Sequence, residues 1–144
     1  MKKYKIGFVA GFFDIIHEGH IQLLEQAKSQ CEQLIVAVGN DEFMRVRKGR
    51  EPVLRYSERA RIVGSIRYVD KVVEETDLDK IAAYKKFRFD VMFAGDDHEQ
   101  ESVYIRDSAV LKKEYGVDTI YIKRSNTSST AIRKRVNELG EKMN

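Results

Sequence analysis

Short apolar, β-branched runs recur along the chain at residues 5–10, 34–39, 69–73, 90–94 and 119–123. Most are nearly continuous rather than alternating, the pattern of strands covered on both faces in a parallel sheet. Helical spacing fills the gaps. Ile21, Leu24 and Ala27 repeat every three residues, and Ile62 and Ile66 stand four apart after Ser57. Leu78, Ile81, Ala82 and Lys85 predict a third helix, residues 103–115 a fourth, and Ile132, Val136 and Leu139 a last one. Strands alternating with helices predict an α/β fold, a Rossmann-like, doubly wound sheet of about five parallel strands. In such a sheet ligands bind beyond the carboxyl ends of the strands, where the strand order reverses.

The 144 residues suit one domain, taken as 1–144. With 42% hydrophobic residues in regular blocks, the composition argues against disorder. No apolar run approaches the roughly 20 residues of a membrane helix. The lysines and apolar residues at the start imitate a signal peptide, but Asp14 and His17 cut the run short. The single cysteine, Cys31, has no partner for an internal disulfide, which fits a reducing cytoplasm.

The net charge of +3 is unevenly placed. Residues 45–61 carry seven Lys or Arg against two Glu, and the rest of the chain is slightly acidic. One basic segment on a faintly acidic body predicts a clamp for a small anion, where nucleic-acid binding would spread charge over a face. A solvated basic surface is the plainer alternative. Pro52 lies in this segment, where a loop is expected.

Candidate chemistry follows three of the runs. Gly11 leaves the first strand, and His17 and His20 lie three apart at a helix start, on one face. Two imidazoles beside free backbone N–H groups and the positive end of a helix dipole suit polyphosphate oxygens. Gly19 removes a side chain between them. Surface capping is a second reading and a zinc pair a third, although no further Cys or His lies nearby in sequence. Gly95, Asp96 and Asp97 follow the fourth strand, either as a simple turn or as carboxylates at the sheet end. Ser128, Ser129 and Thr130 open the last helix, where hydroxyls cap or hold phosphate, with Arg124 placed just before them. No Gly-x-Gly-x-x-Gly follows the first strand, which excludes a dinucleotide dehydrogenase.

Gly11-Phe12-Phe13-Asp14-Ile15-Ile16-His17-Glu18-Gly19-His20 resembles the G-[ST]-F-D-x-x-H-x-G-H signature of the cytidylyltransferases, within the HxGH nucleotidyltransferases. The resemblance extends through Arg67-Tyr68-Val69-Asp70, Gly95-Asp96-Asp97 and Arg124 to Ser128-Ser129-Thr130-Ala131-Ile132-Arg133. It is nearest to the members that act on glycerol 3-phosphate. It implies transfer of CMP from CTP to a small alcohol phosphate, with Mg2+ on the triphosphate and a homodimer held near residues 67–70. It further implies His17, His20 and Arg124 as catalytic residues, and Gly11, Phe12, Phe13, Asp14, Gly19, Arg59, Asp96, Ser128, Ser129 and Thr130 on the nucleotide. Arg45, Arg47 and Lys48 match lysines of a loop that closes over the phosphates. Two departures stand out. Phe12 replaces a Thr or Ser, and His98-Glu99-Gln100-Glu101 replaces a Trp-x-Gly-Lys stretch. The acidic replacement makes an amine-bearing acceptor an alternative, and adenylyl transfer from ATP is another. An inactive nucleotide sensor and a nucleic-acid-binding module are the non-enzymatic alternatives.

Overall fold

Val, Ile and Phe at alternate positions of the five runs divide between two hydrophobic cores, one on each face of a sheet. The computed structural model describes residues 2–123 and 128–143. Strands β1 (Tyr4–Gly11), β2 (Cys31–Gly39), β3 (Lys71–Glu75), β4 (Val91–Gly95) and β5 (Asp118–Ile122) lie in the order β3-β2-β1-β4-β5. Every pairing is parallel. Val9, Val36, Val38 and Phe93 face α1 (Glu18–Lys28) and α3 (Tyr56–Gly64), from which Leu24, Ala27 and Val63 enter the same core. Their neighbours Phe8, Ile35, Ala37 and Met92 face the other way, toward α4 (Lys80–Phe87) and α5 (Ser102–Tyr115). This is period-two alternation with both faces covered, which is why the runs read as continuous. The chain winds outward from β1 to β3 and then returns to β4 on the other side of β1. The order therefore reverses at β1 and β4, which places the ligand crevice there. No helix among the described residues is long and apolar enough to cross a membrane.

The structure departs from the sequence expectation in four places. Part of the basic segment is a helix, α2 (Asp41–Lys48), rather than a loop. The Asn40 side chain caps it by accepting from Phe43 N at 2.7 Å, and Gly49 closes it at φ 70°, a conformation suited to glycine. Arg45, Arg47 and Lys48 thus sit in the last turn of a helix, where cations complement the dipole. In α3 the buried stripe is Arg59 and Val63, and Ile62 is exposed. β3 begins at Lys71 instead of residue 69, because the Asp70 carboxylate is occupied by Lys28 at 2.6 Å and Leu34 N at 2.8 Å. The last helix, α6 (Ser129–Met143), leaves Val136 and Leu139 exposed.

Candidate active site

The carboxyl ends of β1, β3, β4 and β5 open into a cleft of about 290 Å³. One wall is the exit from β1. Here His17 is the N-cap of α1, and its Nδ1 accepts from Gly19 N at 3.0 Å. His20 reaches back so that its Nδ1 accepts from His17 N at 3.2 Å. The two rings form a capping box in which each satisfies a helix-start donor. A nitrogen that accepts a hydrogen bond carries no proton, so each neutral ring holds its proton on Nε2. The two rings, with centroids 3.9 Å apart, both line the cleft. Capping and ligand contact are therefore compatible roles for different edges of the same ring.

Burial, and then the neighbouring His17, pull the His20 pKa down from 6.5 to about 4. His20 is thus neutral at physiological pH. The unfolded chain binds a proton at this ring near pH 6.5 and the folded chain only near 4. The stabilisation is present in full above about 6.5 and is lost as pH falls toward 4, by up to about 3 kcal/mol. Urea denaturation at pH 7 and pH 4.5 checks this. The variant His20→Gln keeps a capping-box side chain without a titrating ring, so it should lose less stability than wild type over that interval.

The opposite wall is the start of α6, and it is bolted to the first. Ser129 Oγ donates to Ile15 O at 2.9 Å, and Arg133 Nη1 donates to Asp14 O at 3.2 Å. Arg133 also donates to Thr130 Oγ1 at 3.2 Å. Ser128, Ser129 and Thr130 line the cleft together with His17 and His20, as do Lys123 and Arg133. Arg124 lies outside the described residues. Burial and the nearby Arg50 lower the Arg133 pKa. Two guanidinium groups facing one cleft, close enough to repel, form a place where an anion is favoured.

Asp14 and Arg59 act differently from the sequence expectation. Asp14 borders the cleft, but its carboxylate is fully buried and accepts from Val53 N at 2.8 Å and Leu54 N at 2.9 Å. Arg50 lies 3.4 Å from it. Asp14 ties the 50–54 segment to the first motif, leaving its oxygens for backbone donors rather than a nucleotide. Arg59 is completely buried and does not line the cleft. Its guanidinium donates to Leu54 O at 2.8 Å, Phe12 O at 2.8 Å, Gly39 O at 2.6 Å and Asp41 at 2.6 Å. Four of its five N–H groups are thereby used inside the protein, so it organises the site from below.

Gly11, Phe12, Phe13 and Gly19 all line the cleft. Phe13 holds φ at 56°, unusual for a bulky residue, and packs 5.1 Å from His20. Phe12 presents its ring where related motifs carry a hydroxyl, packing at 5.0 Å on Phe43. A Cβ on Gly39 would stand 2.4 Å from that ring, so only glycine fits there. At the exit of β4, Gly95 and Asp97 line the cleft, whereas the exposed Asp96 does not. Of the basic residues expected to close over phosphate, Arg47 and Lys48 line the cleft. Arg45 points elsewhere, paired with Glu51 at 2.7 Å.

Sequence reasoning did not single out Arg50, Arg133, Glu75, Lys80 or Tyr104 as site residues, and all five line the cleft. Arg133 stands four residues after Ser129 on one helix, hence on the same face, a spacing that could have marked it. Lys80 is buried and pairs with Glu75 at 2.8 Å, with its ammonium 5.5 Å from the Tyr104 ring. Burial raises the pKa of both Glu75 and Tyr104. His98 stacks on Tyr104 at 4.7 Å, so a flat ring still occupies the place of the Trp in the resembling motif.

Residues 8–135 match the family described as cytidylyltransferase-like. An FAD synthase of Korarchaeum cryptofilum is 41% identical over 135 residues, covering 91% of this chain and 90% of that protein. A glycerol-3-phosphate cytidylyltransferase of Staphylococcus aureus is 36% identical over 118 residues, 79% of this chain and 89% of that one. The solved structure of a lipopolysaccharide core biosynthesis protein from Thermoplasma volcanium covers 85% of this chain and 99% of its own, with a TM-score of 0.73 at 22% identity, a likeness of fold. A family match over most of the chain, joined to a His-x-Gly-His pair lining the crevice of a doubly wound sheet, identifies the chain as a member of the cytidylyltransferase-like family, an enzyme of the nucleotidyltransferase type.

Proposed function

We propose that this cleft transfers CMP from CTP to a small alcohol phosphate, with glycerol 3-phosphate as the first acceptor to test. The observation that carries the transfer chemistry is the joining of two helix starts around one space. The capping histidines of α1 and the Ser128, Ser129 and Thr130 start of α6 are held together by Ser129 on Ile15 and Arg133 on Asp14. Two positive dipole ends with flanking cations suit a triphosphate.

In the reaction an anionic oxygen of the acceptor phosphate attacks the α-phosphorus. The bond from that phosphorus to the bridging oxygen breaks, and its electron pair leaves on pyrophosphate. The attacking oxygen carries no proton that must be removed, so catalysis is alignment and charge stabilisation. His17 and His20 donate through Nε2–H to the α-phosphate and bridging oxygen, where negative charge grows. Ser128, Ser129, Thr130, Arg133 and Arg124 hold the departing pyrophosphate, and Arg47, Lys48 and Arg50 flank it. Among the described residues no group of three His, Cys, Asp or Glu gathers as a metal cage. A magnesium ion would be held by phosphate oxygens and water, with Asp97 among the carboxylates that line the cleft, and would supply charge neutralisation. The reading extends to a homodimer in the cytoplasm, supported by the resemblance at residues 67–70 and by the lone, buried Cys31.

The 41% identity to an FAD synthase favours a second reading, in which AMP from ATP is joined to FMN. Phosphate clamps do not separate the two nucleotides. The deciding assay measures pyrophosphate release from CTP and from ATP, each with glycerol 3-phosphate, phosphoethanolamine, phosphocholine and FMN. Release with CTP and glycerol 3-phosphate is expected. Release only with ATP and FMN would overturn the donor and acceptor assignment, and nucleotide binding with no release would favour a sensor.

A further inference from the structure

We infer that Glu75, held in place by Lys80, is the residue that selects the acceptor, by reading hydroxyl groups at the end away from its phosphate; this rests on the transfer reading above. An in-line displacement puts the incoming phosphate opposite the leaving pyrophosphate. With pyrophosphate at the start of α6, beside β5, the acceptor extends to the far side of β1. The cleft residues that follow β1, β2 and β3 include Phe12, Phe43, Glu75 and Leu78, with Lys80 seated on Glu75.

Glu75 and Lys80 balance each other's charge in this lobe. Lys80 is 1% exposed, and its Nζ lies 2.8 Å from Glu75 Oε2. Its backbone is fixed as well, donating to the buried Asp107 at 3.2 Å. Of the acidic stretch after β4, Glu101 lies 3.8 Å from Arg47 and 3.0 Å from the His98 ring. A cationic amine entering the lobe would compete with an ammonium already seated on Glu75. A second anionic group would find the Lys80 ammonium already taken by Glu75. Hydroxyl groups meet neither obstacle. The second carboxylate oxygen of Glu75, Oε1, has no hydrogen-bond partner among the described residues, and Glu75 lines the cleft, so it can accept from a hydroxyl. Lys80 is a positioning residue: its ammonium orients the Glu75 carboxyl and cancels its attraction for amines.

The test compares glycerol 3-phosphate with n-propyl phosphate, its hydroxyl-free counterpart, and with phosphoethanolamine, using whichever of CTP and ATP supports release. Wild type should prefer the polyol phosphate. Glu75→Gln should raise the KM for glycerol 3-phosphate at least about tenfold, leave the nucleotide KM unchanged, and narrow the ratio to n-propyl phosphate by the same factor. Because Glu75→Gln leaves a buried lysine unpaired, the double variant Glu75→Gln, Lys80→Met removes both charges and is measured beside it. It should show the same loss of discrimination, with circular dichroism like wild type. Undiminished discrimination in the folded double variant overturns the inference alone, as does a wild-type preference for phosphoethanolamine. No release with any donor and acceptor overturns the transfer reading, and this inference falls with it.

Discussion

Replacing His17 with asparagine is expected to lower turnover by about 10²–10³-fold while leaving the protein folded. The expectation follows from the two edges of the ring. Nδ1 caps α1 by accepting from Gly19 N at 3.0 Å, and asparagine is itself a good cap, so the helix start survives. What disappears is the Nε2–H donor toward the α-phosphate. His17→Ala removes both functions and should add about 1 kcal/mol of lost stability to the same kinetic loss. Single-turnover rates and thermal midpoints on the two variants separate the effects. Normal turnover in His17→Asn would reduce the imidazole to a cap and remove it from the chemistry.

The second large effect concerns stability. Arg59→Met should destabilise the fold by about 3–5 kcal/mol, the range for breaking a buried, hydrogen-bonded charge network. The carbonyls of Phe12, Gly39 and Leu54 and the Asp41 carboxylate would lose their common donor. Lysine carries the charge but not the planar fork that reaches four acceptors, so Arg59→Lys should recover only part of the loss. Urea denaturation gives the magnitude. A loss below about 1 kcal/mol, with a rise confined to the nucleotide KM, would return Arg59 to the role of a direct nucleotide contact.

Arg59 also illustrates the limit of reading a site from local sequence. Its position at a helix start after a basic segment resembles a nucleotide contact, yet nothing in the neighbouring residues indicates the carbonyls of Phe12 and Gly39, from distant segments, converging on it. The Asp96 and Asp97 pair poses a similar problem, since adjacent residues in a turn point in different directions and only the turn's geometry selects Asp97 for the cleft. α2 is the opposite case, because Asn40, the acidic first turn, the basic last turn and Gly49 are local helix signals.

The strand and helix succession, the parallel sheet, and the identity of the histidine and Ser-Ser-Thr motifs are determined by the sequence alone, because each depends on spacing within a few residues. Which charges face the ligand was decided only by tertiary structure. Asp14 and Arg59 are drawn inward to satisfy backbone groups, while Arg50, Arg133, Glu75 and Lys80 are brought to the cleft by crossovers that join residues far apart in the chain. The physical reason is that a buried polar group must find a partner wherever the fold supplies one, and that partner is not written beside it in the chain.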